Sequence, residues 1–148
     1  MPVEALALLN AALALSMTGL IWFVQVVHYP LFLNVADAQW PAYHDAHTRR
    51  TTWVVAAPMV GELAASLLLA WMVWDGPLRW LGAGSAACAV LLWAATFLVQ
   101  VPIHELLAQA PHRPSMRLLV ESNWVRTALW TVRSALSLAI VWKLLGAA

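Results

Sequence analysis

Histidine is the residue type with the most chemistry to offer in this chain, and its five copies are His28, His44, His47, His104 and His112. Imidazole titrates near neutral pH and ligates zinc, copper, iron or haem, so gathered histidines serve as metal ligands or as general bases. His44 and His47 are three residues apart and share a face if 42–51 is helical. His28 and His104 each follow a glutamine, Gln25 and Gln100, and each lies beside a proline, Pro30 or Pro102. There is no HExxH, and the two carboxylate–histidine helix repeats of a di-iron bundle are absent. His104 and Glu105 are adjacent rather than spaced to share an ion. Three readings stay open: iron, copper or zinc on two to four imidazoles, haem with His28 and His104 as axial ligands, and a metal-free cluster of bases.

Charged residues inside apolar stretches are the second source of chemistry, because an ionised group at a bilayer centre costs roughly 2.5 to 3.5 kcal/mol even on the lenient scale. Glu62 stands nine residues after Trp53, and Arg133 nine after Trp124. Both then sit about 13 Å below one interface, which makes them a buried ion pair. Arg126 is the competing partner if the last span starts earlier. Asn123, Arg126, Thr127, Trp130, Arg133 and Ser137 recur at spacings of three and four and so form one helical stripe. A functional reading makes this stripe a polar wall for an anionic or carbonyl-bearing group, since arginine presents a fork of donors. A structural reading has the arginines answer Glu62, Glu105 or Glu121 and fix helix register.

Composition determines what positions these groups. Of the 148 residues 63% are hydrophobic and 10% charged, against about 25% charged in a soluble domain. A formal charge of +1 leaves no basic surface for a run of phosphates, so no nucleic-acid partner is expected. The single cysteine, Cys88, excludes an intramolecular disulfide and a Cys-rich metal site.

Four apolar runs are long enough to cross a bilayer, at about 4–28, 53–74, 80–101 and 120–143. The first is too long, and lacks the basic start, to read as a cleaved signal peptide. The fold expected is all-α and integral to a membrane: one domain, 1–148, an up-and-down bundle of four transmembrane helices with an interfacial first loop. That loop, 34–50, reads as a short interfacial or re-entrant segment, and 105–117 as a polar connection. An even number of spans puts both termini on one side. Arg49, Arg50, Arg113 and Arg117 then oppose Arg79 and Lys143, which places the longer loops in the cytoplasm by two charges. Trp22, Trp93 and Trp130 fall inside spans and are candidates to line an aromatic cavity. Short matches between 23–28 and 97–104, and between 52–54 and 123–125, hint at a duplicated helical hairpin.

This topology gathers the chemistry at one end. Spans 1 and 3 both run toward the loop side, and the first loop must return there carrying His44 and His47. His28, His44, His47 and His104 are therefore expected to converge, as metal ligands or bases. Arg126 joins them as a catalytic candidate, and Gln25, Glu62, Gln100, Asn123, Trp130 and Arg133 are supporting polar or substrate-contacting groups. Four imidazoles packed together would repel one another if protonated, which favours neutral rings.

The blocks His28-Tyr29-Pro30, Tyr43-His44 with His47 and Arg49, Pro58-Met59-Val60 with Glu62, Gln100-Val101-Pro102-Ile103-His104, and Asn123-Trp124 with Arg126, Thr127, Trp130, Thr131 and Arg133 cover most of the chain. Their pattern resembles small four-helix membrane proteins related to the anthrone oxygenase superfamily. What the resemblance implies is oxygenation of a polycyclic, lipophilic substrate; it carries no established catalytic set. Two functions follow as expectations. One is a membrane-embedded oxidoreductase or oxygenase for a lipophilic small molecule, in a bacterial inner membrane. The other is a non-enzymatic membrane subunit or ligand-binding protein. The lipid bilayer, a second copy of the chain and a membrane-complex partner are the macromolecular contacts either one would use.

Overall fold

The computed structural model describes residues 1–146, and its apolar runs are helical, with no strand among the described residues. Helix α1 (Val3–Phe23) passes into a π-helical turn, Val24–His28, and two 3-10 turns, Pro30–Asn34 and Asp37–Gln39, lead to α2 (Trp40–Met72). After a tight turn, α3 (Arg79–Ala95) continues through a second π turn, Thr96–Gln100, into α4 (Val101–Gln109), and α5 (Arg113–Leu145) follows. Four rods result, Val3–Asn34, Asp37–Met72, Arg79–Gln109 and Arg113–Leu145, each long and apolar enough to cross a membrane.

The rods outrun the hydropathy boundaries, and the excess gathers at one end. Residues 40–50, expected in the interfacial first loop, are the opening turns of α2. Residues 105–117, expected as a connection, divide into the second half of α4, a link at 110–112 and the first turn of α5. The physical reason is that polar residues can continue a helix through i,i+4 partners that hydropathy does not register. Arg49 donates to Asp45 at 2.8 Å, and Thr48 and Thr52 hydroxyls donate back to the His44 and Thr48 carbonyls.

Consecutive rods are antiparallel. Asn10, early in α1, bonds Ser66, late in α2, and Ser137, late in α5, while Ser85, early in α3, lies 3.4 Å from that same Ser137. Both α1 and α3 pack between α2 and α5, which closes a four-helix bundle.

Inside, apolar and polar layers alternate. Leu6, Leu69, Leu78 and Ile140 fill the end near the termini, and Met17, Ile21, Met59, Leu92 and Trp130 fill the middle. Between them lies a polar layer. Arg133, 0% exposed, donates to the Glu62 carboxylate, to Asn10 Oδ1 (2.8 Å) and to Ser66 Oγ (2.6 Å), and Trp130 Nε1 also donates to Glu62 (3.1 Å). The expected Glu62–Arg133 pair is thus present, and Arg126 is not its competitor. At the loop end Tyr29, Phe32, Trp40, Ile103, Leu107 and Met116 make a third core, closed by Trp40 Nε1 donating to the Leu107 carbonyl at 2.7 Å.

Both π turns precede a proline, and the proline accounts for them. Pro30 and Pro102 have no N–H for the carbonyls of Val26 and Leu98, and their rings would clash there in a regular α-helix. Widening the turn by one residue relieves this, with Tyr29 N–H reaching Val24 O and Val101 N–H reaching Thr96 O.

Candidate functional site

The π turns and the extended α2 deliver four imidazoles to one place. His28 closes the first π turn, His44 and His47 lie on successive turns of α2, and His104 stands on α4 just beyond the second π turn. His28 Nε2 is 2.8 Å from His47 Nδ1, and His44 Nε2 is 3.2 Å from His104 Nδ1. The pairs join, since the His47 ring centroid is 5.4 Å from that of His104 and 6.4 Å from that of His44. Phe32 holds His28 and His47 edge-on at 5.3 and 4.9 Å, and Trp40 lies 5.3 Å from His44.

Two neighbours of the cluster were not singled out from sequence. Tyr29 places its hydroxyl 3.3 Å from His104 Nε2, and Thr51 places its own 3.2 Å from His47 Nδ1. The signal for Thr51 was its position four residues after His47 on one helix. Tyr29 stood only beside His28 in the block His28-Tyr29-Pro30, with nothing in its spacing to show that it faces the cluster, where it is buried.

The other expected residues divide. Gln25 accepts from Asn123 Nδ2 at 2.8 Å and donates to the Val120 carbonyl at 3.0 Å, tying α1 to α5. Asn123 Oδ1 accepts from Arg126 Nη1 at 3.0 Å, so this pair braces the guanidinium. Gln100 donates to Ser122 Oγ at 3.1 Å. Glu62 and Arg133 do not belong to the histidine site; they are bonded to each other one layer away, because Glu62 faces α5 at Arg133. Trp130 bridges the layers, one edge on Glu62 and its face 5.0 Å from the Arg126 guanidinium carbon. Trp22 is on the outer surface, where it donates to Thr131, and is not a cavity residue. His112 caps α5 by accepting from the Ser115 N–H, apart from the other four.

The cluster faces a cavity of about 500 Å³ between α2 and the rod made by α3 and α4. His44, His47, His104, Gln100 and Arg126 are on its polar side, and Val55, Met59 and Val101 on its apolar side. A smaller hollow, about 40 Å³, leads inward past Tyr29 and Arg126 to Trp130 and Ile21. A third, about 230 Å³, lies on the other face of His28 and His47 beside Tyr43 and Arg50. His47 therefore stands in the partition between an outer and an inner space.

Each nitrogen pair fits one N–H···N hydrogen bond; the His44–His104 pair, at 3.2 Å, is close to the ~3.4 Å of tetrahedral neighbours on an ion bound at about 2.1 Å, and the His28–His47 pair, at 2.8 Å, is tighter. No three His, Cys, Asp or Glu side chains among the described residues form a group arranged to hold a metal. The residues available to an ion are thus the pairs His28 with His47 and His44 with His104. Comparisons with protein-family models, with curated proteins and with solved structures give no match to this chain.

Proposed function

We propose that the chain is a membrane-embedded oxidoreductase of the oxygenase type, acting on a lipophilic small molecule held in the cavity beside the histidines. The observation that carries this reading is the wall of that cavity, apolar at Val55, Met59 and Val101 and chemically armed at His44, His47, His104 and Arg126. Cavities of 300 to 1,000 Å³ with a few convergent polar groups are the usual form of a small-molecule site. The membrane setting is supported by exposed tryptophans in two bands, Trp53 with Trp124 and Trp22 at one level, and Trp71, Trp80 and Trp142 at the other. Trp53 is 83% exposed and Trp142 81%, an arrangement suited to the two interfaces of a bilayer.

In this reading an acidic C–H or O–H of the substrate gives its proton to an imidazole at the cavity wall. The Arg126 guanidinium holds the oxyanion that forms. Dioxygen, as co-substrate, takes the electrons, so that a methylene and O₂ give a carbonyl and water with atoms and electrons balanced. Iron or copper on either imidazole pair would add activation of dioxygen.

The test starts with detergent-purified protein, its metal content and its optical spectrum. Bound lipophile is extracted, identified by mass spectrometry and returned to the protein while oxygen uptake is followed. Uptake with formation of an oxidised product is expected, falling by about 100-fold or more in His104→Ala. A lipophile returned unchanged with no oxygen consumed would refute turnover and leave the ligand-binding subunit as the function.

A further inference from the structure

Arg126 and Arg133 lie on the same face of α5, and their surroundings could hardly differ more. Arg133 has a carboxylate, Glu62, along with Asn10 and Ser66. The ion pairs among the described residues are Arg49–Asp45, Arg113–Asp37 and Arg133–Glu62, and Arg126 enters none of them. It is nevertheless 8% exposed, with Nη1 on Asn123 Oδ1, the Tyr29 hydroxyl beside it and the Trp130 ring under it, and its Nε, like that of Arg133, meets no acceptor; what it lacks and Arg133 has is a carboxylate. Removing a cation from water without a counter-ion is strongly unfavourable, so a built arginine pocket lacking a carboxylate calls for an anion from outside the chain.

A second orphan points the same way. Gln100 gives its Nε2 to Ser122, but its buried Oε1 receives nothing. Gln100 and Arg126 line the same cavity from neighbouring rods. A guanidinium without a carboxylate and an amide oxygen without a donor, on two residues that line one space, match the head of a missing ligand: an anionic oxygen for the guanidinium and a hydroxyl for the amide oxygen. The rim of the cavity carries Asp45 and Glu105, whose carboxylates disfavour a multiply charged guest. Its deeper wall, at Val55, Met59 and Val101, suits an apolar body.

We infer that Arg126 and Gln100 form a head-group site for a lipophilic monoanion, its ionised oxygen on Arg126 and a neighbouring hydroxyl on Gln100. This deepens the reading of the cavity as a substrate site and rests on it. The same chemistry, an oxyanion on an apolar body, is available from a single-chain amphiphile or from the head of an anionic lipid.

The probes are palmitate, 2-hydroxypalmitate and methyl palmitate, their binding measured at equilibrium on the full chain in nanodiscs of phosphatidylcholine. Palmitate is expected to bind about 10-fold or more tighter than its ester, from charge-assisted hydrogen bonds, and the 2-hydroxy acid a further ~3-fold or more tighter. Arg126→Gln should erase the preference for the acid over the ester. Gln100→Leu should erase only the increment from the hydroxyl. Val55→Trp, which fills the cavity and leaves Arg126 intact, should abolish binding of all three, and it keeps the inference testable if Arg126→Gln does not fold. Thermal melting of each variant establishes folding. Equal binding of acid and ester by the unsubstituted protein, an unchanged preference in folded Arg126→Gln, or undiminished binding in folded Val55→Trp would overturn the inference. Replacing part of the phosphatidylcholine with phosphatidylglycerol separates the sources: displacement of palmitate assigns the site to a lipid head, and no displacement to a single-chain amphiphile. Because no turnover is read, selective binding without oxygen uptake would refute the enzyme and keep the anion site. Oxygen uptake without acid selectivity would do the reverse.

Discussion

Glu62 and Arg133 form a pair that is fully enclosed, so the energetics are those of two charges that no longer see water. Glu62→Gln or Arg133→Ala leaves the partner buried and uncompensated, and each should lower unfolding free energy by about 3 to 5 kcal/mol. The double replacement Glu62→Leu with Arg133→Met should lose far less than the sum, because it removes both desolvation costs together. Unfolding of purified protein in mixed micelles with increasing dodecyl sulfate measures all three. This pair was readable before the structure because each residue lies at the same offset from a tryptophan. Its remaining members were not, since Asn10 and Ser66 are small polar residues in apolar runs with nothing in their spacing to mark them. For the same reason Glu62 was expected beside the histidines. Depth along a helix can be counted from sequence, whereas the direction in which a side chain leaves it depends on how the helices are rotated against one another.

Helices were more readable than their ends. The four apolar runs give the rods, but the polar turns at 40–52 and 105–117 continue them through local pairs such as Asp45 with Arg49. The π turns could not be read at all, although the prolines that cause them were visible, because a proline is compatible with a kink, a stop or a widened turn. One element contact gives a sharp test. A Cβ on Gly82 would lie 2.7 Å from Val73 Cγ2 and 3.1 Å from Ala70 Cα, so α3 approaches α2 there as only glycine allows. Gly82→Ala should destabilise by about 1 to 3 kcal/mol through overpacking. Gly19, also helical, has nothing within 4 Å of such a Cβ, and Gly19→Ala should be neutral or stabilising by up to about 1 kcal/mol. The same micelle titration compares the two, and equal effects would contradict the close approach.

For the whole molecule, the antiparallel order of the rods puts Val3 and Leu145 at the same end. Reporter fusions at the two termini should therefore report one compartment, and opposite compartments would contradict the topology. The convergence of His28, His44, His47 and His104 followed from chain direction alone, which is why that much of the site could be anticipated. Tyr29, Thr51 and the cavity depend on side-chain rotation and on the gap between α2 and α4, and no one-dimensional pattern contains those. The alternation of layers has one more consequence. Leucine- and alanine-rich helices slide past one another with little change in energy, since one apolar contact replaces another. Here the first rod is pinned to α5 along its length, by Asn10 to Ser137, by Thr18 to Ser134 and by Gln25 to Asn123, the outer two points roughly 22 Å apart. Fasteners that far apart work as a vernier: a slip of one turn, about 5.4 Å, would break the first rod's bonds in both polar layers at once and leave Asn10 and Gln25 buried without these partners. The first rod is thus held to one register on α5, and the depth at which His28 meets the other imidazoles is fixed in part by a bond made at Asn10, near the other end of that rod.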